Sequence, residues 1–218
     1  MTIDTPQGGA FVIALVGAES TGKSTLAREL HQAFAVKGIP VIRVDEYLRE
    51  FCDWFGRTPR QNEQPGIAAE QTRRIGTAAA QLGGGGIVIA DTTALMIAVY
   101  SDQVFGDRSL YEAALADHAR VDLTLLTALD LPWLPDGLQR DGPQVREPVD
   151  AKVRAALRRG GFAHAIVAGT GPARLAAAWE ACEQAHTPTD PSAEGATRWV
   201  HHCGRCGDAG CERSLFKL

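Results

Sequence analysis

A chain of 218 residues, 45% hydrophobic and 22% charged, is long and apolar enough to bury a core and is not a disordered protein. Its formal net charge of −4 argues against a cationic surface that grips nucleic acid by displacing counterions or settles on acidic membranes. The opening MTIDTPQGG has no basic residue, and the apolar run that follows is too short to span a bilayer, so neither a signal peptide nor an anchor is expected and the protein reads as cytoplasmic.

In chain order, Val- and Ile-rich runs at 11–16, 41–44, 87–90, 121–127 and 165–168 alternate with helix-like segments at 23–37, 62–82, 93–103, 108–119, 149–159 and 172–185. Gly38 with Pro40, the run Gly83 to Gly86, and Gly160 with Gly161 stand where helices stop before strands begin. Short strands alternating with helices predict an α/β, three-layer fold around a five-stranded, mainly parallel sheet. Residues 1–185 form this domain. Residues 186–198, polar and rich in Pro, Thr and Ser, read as a linker to a Cys/His-rich tail at 199–218.

The first strand runs into GAESTGKST, residues 17–25, where Gly17, Gly22, Lys23 and Ser24 satisfy the phosphate-loop spacing. A strand that turns abruptly into a helix presents backbone amides to polyphosphate oxygens. Glu19, Ser20, Thr21 and Thr25 complete the nucleotide-binding loop, Lys23 is placed to neutralise the outer phosphates, and Ser24 to ligate magnesium. Asp91, at the end of the third strand, is expected in the metal shell, with a helix N-cap as its other reading. The second strand delivers Asp45 and Glu46 to the same sheet edge, where ligands sit in open parallel sheets. Either carboxylate could take the proton of an attacking hydroxyl, and the sequence does not choose between them.

After the fourth strand, DLPWLPDGLQRDGPQVREP is too rich in Pro and Gly for a regular element and reads as a lid whose Arg140 and Arg146 close over the phosphates. Gly169, Thr170 and Gly171 make a tight turn after the fifth strand, where backbone groups and Thr170 could hold an adenine edge.

Taken together, GAESTGKSTL, VDEYLREF, FGRTPRQNEQPGIAAEQ, ADTTALMIAVY and DLPWLPDGLQRDG resemble the ribosylnicotinamide kinase domain of the NadR-like proteins, over about residues 10–180. The resemblance implies a nucleoside-kinase-like fold and ATP- and Mg2+-dependent phosphorylation of the 5'-hydroxyl of nicotinamide riboside, a small-molecule partner; a phosphate-loop kinase of another nucleoside or nucleotide and a nucleotide-binding regulatory ATPase are the other readings. It carries the phosphates to Lys23 and Ser24, the metal to Asp91, the lid to Arg140 and Arg146, and the base to Asp45 or Glu46. Tyr47, Arg49, Gln71, Trp133 and Asp136 become substrate neighbours; a flat cationic ring would suit the face of Tyr47, Trp54 or Trp133. Family members often carry an N-terminal nucleotidyltransferase domain; this sequence begins just before the kinase strand, so the kinase step alone is expected of it.

Outside the resemblance, Cys203, Cys206 and Cys211 follow His201 and His202 in C-x2-C-x4-C spacing. A Cys3His zinc site with His202 as fourth ligand is one reading, free or redox-active thiols a second, and an incidental tail a third.

Overall fold

The computed structural model describes residues 9–134 and 142–186. Asp136, Arg140, the linker and the Cys/His tail with its zinc reading therefore lie outside the described residues. Strand β1 (Phe11–Val16) leads to helix α1 (Lys23–Val36), β2 (Val41–Val44) and α2 (Tyr47–Phe55); a 3-10 turn (Gln61–Glu63) then opens α3 (Gln64–Leu82). Next come β3 (Ile87–Asp91), α4 (Ala94–Phe105), α5 (Tyr111–His118) and β4 (Leu123–Thr127). A second 3-10 turn (Pro143–Val145) opens α6 (Arg146–Gly160), and β5 (Ala165–Val167) and α7 (Pro172–His186) follow.

The strands lie in the order β2-β3-β1-β4-β5, and every neighbouring pair is parallel. All six residues of β1 are buried, which is why its sequence is continuously apolar rather than alternating. On one face Phe11, Ile13 and Leu15 pack with Leu26, Leu30 and Phe34 of α1 and with Ala178 and Cys182 of α7. On the other, Val12 and Val88 meet Ala78 of α3, while Val16 and Leu126 meet α4, α5 and α6 through Leu95, Val99, Ala114, Val153 and Leu157. The expected three-layer parallel α/β architecture is present. Among the described residues no helix is long and apolar enough to cross a membrane.

Four expectations need correction. Helix α2 was not foreseen: within VDEYLREF the strand ends at Val44, and Leu48, Phe51 and Cys52 recur at helical spacing on a buried face. Helix α4 starts at Ala94 because the Thr93 hydroxyl, not Asp91, caps it, accepting from Leu95 N at 3.3 Å. Strand β4 begins at Leu123, since Val121 N closes the end of α5 on His118 O at 3.0 Å and the Asp122 carboxylate takes Val12 N at 2.7 Å. The proline-rich stretch, expected to hold no regular element, becomes helical at its end, with Pro143 opening the second 3-10 turn and Pro148 in the first turn of α6, where a missing N–H costs no intrahelical bond.

His118 closes α5 against the sheet. It is 2% exposed, with Nδ1 3.2 Å from Thr93 Oγ1 and Nε2 2.9 Å from Thr124 Oγ1. Burial holds the imidazole neutral and pushes its pKa down to about 4. The unfolded chain takes up this proton near pH 6.5 and the folded chain near 4, so stability present above pH 6.5 is lost as the pH falls through that window. The contribution is about 3 kcal/mol between pH 7 and 4, and urea titrations of His118→Gln across this range are expected to show a correspondingly flatter pH dependence.

Candidate nucleotide and acceptor site

The turn from β1 into α1 is set by two glycines. Gly17 adopts φ 143°, and a Cβ there would collide with Thr127 Oγ1 at the end of β4. Gly22 caps α1 in the left-handed region at φ 79°. Thr21, fully buried, donates to Ala18 O at 2.8 Å and lies 2.6 Å from Thr127 Oγ1, itself 3.2 Å from Val16 O. The loop is thus tied to β4 by hydroxyls as well as by close approach. Lys23, 9% exposed, donates from Nζ to Gly17 O and Ala18 O at 2.8 Å each, which holds the ammonium within the loop.

A residue that sequence reasoning missed fixes the loop from the far side. Arg174 of α7, 4% exposed, donates from Nη2 to Thr21 O at 2.7 Å and from Nη1 to Asp130 Oδ1 and Gly169 O at 2.8 Å each. Asp130 in turn accepts Gly169 N. The turn at 169–171 is therefore held through its backbone, while Thr170 itself is exposed. An arginine buried in GTGPARL is the only local signal that could have marked it. At the opposite rim, the Ser20 hydroxyl donates to Leu134 O at 2.8 Å and lies 3.2 Å from Leu134 N, joining the loop to the root of the proline-rich segment.

Across the sheet edge the two adjacent acids differ sharply. Asp45 is exposed and held by Arg43, with Nε–Oδ1 at 2.8 Å and Nη2–Oδ2 at 3.1 Å. Glu46 is 7% exposed. Its pKa is pushed up to about 7, first by burial and then by the charge of Asp91, with Lys23 and Arg49 pulling it partly back. Asp91, 3% exposed, is also raised by burial, opposed by a hydrogen bond from Ser24 and by the charge of Lys23.

Asp91 Oδ1 is buried and without a hydrogen-bond partner among the described residues. An orphaned carboxylate oxygen beside the Ser24 hydroxyl fits a magnesium ion, which takes few protein oxygens and keeps water and phosphate in its remaining positions. Among the described residues there is no cluster of three or more His, Cys, Asp or Glu that could hold a metal by protein side chains alone.

Two cavities meet at Glu46. One, about 820 Å3, is lined by residues 20–25 of the loop, by Arg43, Asp45, Glu46, Arg49 and Asp91, and by Leu131, Pro132 and Leu134. The other, about 120 Å3, lies toward α4 and shares Lys23, Glu46 and Arg49 with the first. Gln71 stands behind both: fully buried, its Oε1 accepts Tyr47 N at 2.8 Å and its Nε2 lies 3.4 Å from Asp45 O and 3.3 Å from Thr92 O. That amide orders the β2–α2 junction, and Gln71 is not among the residues that line either cavity. The Tyr47 ring is covered by the Arg74 guanidinium at 4.5 Å and meets the edge of Trp54, which is 65% exposed. Trp133 has a buried Nε1, and Arg146, the first residue of α6, has buried Nε and Nη2, all without partners among the described residues. Arg49 lines both cavities.

A family model described as an AAA domain matches residues 12–174. No curated protein matches in sequence. A crystal structure of NadR protein in complex with NR superposes with a TM-score of 0.67 at 21% identity, covering 81% of this chain and 50% of that one. A second, of NadR protein in complex with NAD and AMP-PNP, gives 0.63 at 21% identity, covering 83% and 50%. This chain thus spans about half the length of those NadR chains, and the likeness is one of fold.

The raised Glu46 pKa has a stability consequence. A carboxyl that ionises near 7 in the fold and near 4.5 when unfolded favours the folded state below pH 4.5 and loses that advantage as the pH rises through 7. With magnesium removed by chelation, Glu46→Gln is therefore expected to match the parent near pH 4 and to exceed it by about 3 kcal/mol at pH 8 in denaturant unfolding.

Proposed function

The chain belongs to the AAA-domain family of phosphate-loop proteins, and from that footing we propose that it is an ATP-dependent kinase that phosphorylates the 5'-hydroxyl of nicotinamide riboside to give nicotinamide mononucleotide. The observation that carries this reading is the buried carboxylate of Glu46, held where the phosphate-loop cleft meets a second, smaller cavity. A transferase needs such a junction: donor on one side, acceptor on the other, and a base between them. The NadR structure with NR lends the acceptor its identity.

In this reading the loop amides and Lys23 hold the donor's phosphates, and Glu46 accepts the proton of the acceptor's 5'-hydroxyl as its oxygen forms a bond to the γ-phosphorus. The bond from that phosphorus to the bridging β,γ-oxygen breaks, and ADP leaves with the electron pair. A base poised near neutrality suits this step, because about half of it is ionised at neutral pH and it takes a proton readily. Asp45, neutralised by Arg43 at the exposed rim, is better placed to contact sugar hydroxyls. Magnesium, when bound at Ser24 and Asp91, supplies charge neutralisation of the phosphate oxygens. Arg146, at the head of α6, and Arg140 belong to the segment that would close over the phosphates, and Arg174 keeps the loop in shape from behind.

The lining of the smaller cavity suits part of a nucleoside better than a phosphate group. That lining sets Glu19 and Glu46 against Lys23 and Arg49, and Lys23 already serves the loop. The lining lacks, among the described residues, the arginine cluster by which proteins recognise a phosphate group.

Incubation with ATP, magnesium and a nucleoside panel, read by mass spectrometry, is expected to give the 5'-phosphate of nicotinamide riboside. Nucleotide binding with no phosphorylated acceptor from any nucleoside would overturn the reading. Glu46→Gln is expected to lower kcat by about 100-fold or more and Asp45→Asn by far less; near-normal turnover in Glu46→Gln removes Glu46 as the base.

A further inference from the structure

The ladder between β2 and β3 ends at Val44 and Ala90, one residue short of Asp45 and Asp91, so strand pairing does not fix where Glu46 lies relative to Asp91. Glu46 follows at the N-cap of α2, where its side chain makes no capping bond. One side chain spans this gap. Gln71, on α3 and fully buried, accepts Tyr47 N on Oε1 at 2.8 Å, and its Nε2 donates to Asp45 O at 3.4 Å and to Thr92 O at 3.3 Å. The first two partners are the residues on either side of Glu46, and the third is the residue after Asp91. A carboxamide carries an acceptor oxygen and two N–H donors, which match one backbone N–H and two carbonyls.

Beside this bond Thr92 is held in a strained form. Its φ is 73°, the left-handed region that a β-branched residue rarely adopts, and such a conformation persists only where its surroundings enforce it. The Gln71 bond to Thr92 O is one restraint, and the Thr93 hydroxyl that caps α4 is another. Helix α3 is anchored away from the cleft, with Ile67 packed among Leu48, Phe51 and Ile97, and Ala78 among Val12, Val44 and Val88. Gln71 therefore reaches the sheet edge from a fixed support.

We propose that Gln71 is a positioning residue that sets Glu46 and Asp91 relative to one another, by gripping the backbone on both sides of the first and immediately after the second. The inference rests on the kinase reading for the task of Glu46, but one arm of its test reads metal binding with no acceptor present. Misplacement by about 1 Å at a reacting centre costs about 100-fold in rate, and loss of a group that orients a metal ligand costs about 10- to 100-fold in metal affinity.

Gln71→Met nearly keeps the volume and releases all three backbone groups. The Mg2+ affinity of the ADP complex is read by calorimetric ADP titrations at a series of Mg2+ concentrations, and is expected to weaken by about 10-fold or more. ADP without metal is expected to bind as in the parent, because Thr127 and Arg174 hold the phosphate loop separately. With Mg2+ saturating, kcat is expected to fall by about 10-fold or more while the KM values for ATP and nucleoside stay within about threefold. Thr72→Val supplies the comparison for simple loosening of α3. It removes the 2.9 Å bond from Thr72 Oγ1 to Asp117 Oδ2, and is expected to lower the unfolding temperature and to leave Mg2+ affinity and kcat at the parent's values.

The inference is overturned if Gln71→Met keeps the parent's Mg2+ affinity or kcat, if it weakens metal-free ADP to the same degree, if Thr72→Val shows the same losses, or if the parent's ADP complex takes up no Mg2+. Should Gln71→Met fail to fold, Gln71→Asn, whose amide is withdrawn by one methylene, must show the same losses. A parent that phosphorylates no nucleoside would sink the kinase reading, and the Mg2+ titrations alone would then decide whether Gln71 positions Asp91. Turnover of nicotinamide riboside by the parent, with Mg2+ affinity and kcat unchanged in Gln71→Met, would do the reverse.

Discussion

Because β1 is buried along its whole length, the chain that leaves its C-terminal end must reverse within a few residues, and it does so pressed against β4. The close approach of Gly17 to Thr127 is the constraint from which the rest of the site follows. No side chain fits there, so the backbone lies near enough to β4 for the hydroxyls of Thr21 and Thr127 to meet. That contact fixes the loop's amides before any ligand arrives, and preorganised donors need no rearrangement to meet negative charge. Arg174 completes the brace by linking the loop carbonyl of Thr21 to the end of β4 and to the turn after β5. Three segments far apart in sequence are thereby held as one rigid edge.

The same edge carries groups that destabilise the fold. Glu46 and Asp91 are two carboxylates in a buried setting with one lysine nearby; burial raises both, and the charge of Asp91 adds to it at Glu46. An apolar pair at these positions would make a more stable protein. Strain of this kind, concentrated where a cleft opens, is what a site arranged to receive cations and protons requires. The fold tolerates it because the surrounding layers are densely apolar: Val88, Ile89 and Ala90 lead into Asp91, and each is fully buried.

The architecture was legible because parallel strands covered on both sides write their burial directly into composition, and glycines mark where helices stop. Helix α2 was not, since its nine residues follow two acids that draw attention as chemistry rather than as a helix start. Asp45 and Glu46 were visible as a pair and indistinguishable as individuals. Their difference comes from the turn after β2, which leaves one with Arg43 at the rim and sends the other inward, and tertiary placement of that kind leaves no trace in a dipeptide. Gln71 misled in the opposite direction: a polar residue in a motif-bearing stretch invites a ligand, but here its amide satisfies backbone groups that the α2 junction would otherwise leave unpaired. Arg174 was missed because it has no local pattern and is defined by partners from three other segments.

The buried polar groups around the loop are not all satisfied from within the described residues. Gln71 is a buried polar group whose hydrogen bonds end on the protein, and Arg174 holds the loop through Nη1 and Nη2 although its Nε has no partner among the described residues, so removal of either would loosen the frame irrespective of ligand. Asp91 Oδ1, Glu19 Oε2 and Gln64 Oε1 are buried polar atoms without partners among the described residues, and their residues are among those that line the two cavities that meet at Glu46. A protein ordinarily satisfies such atoms. A cation would supply the missing partner of Asp91 Oδ1, beside the phosphate loop's serine.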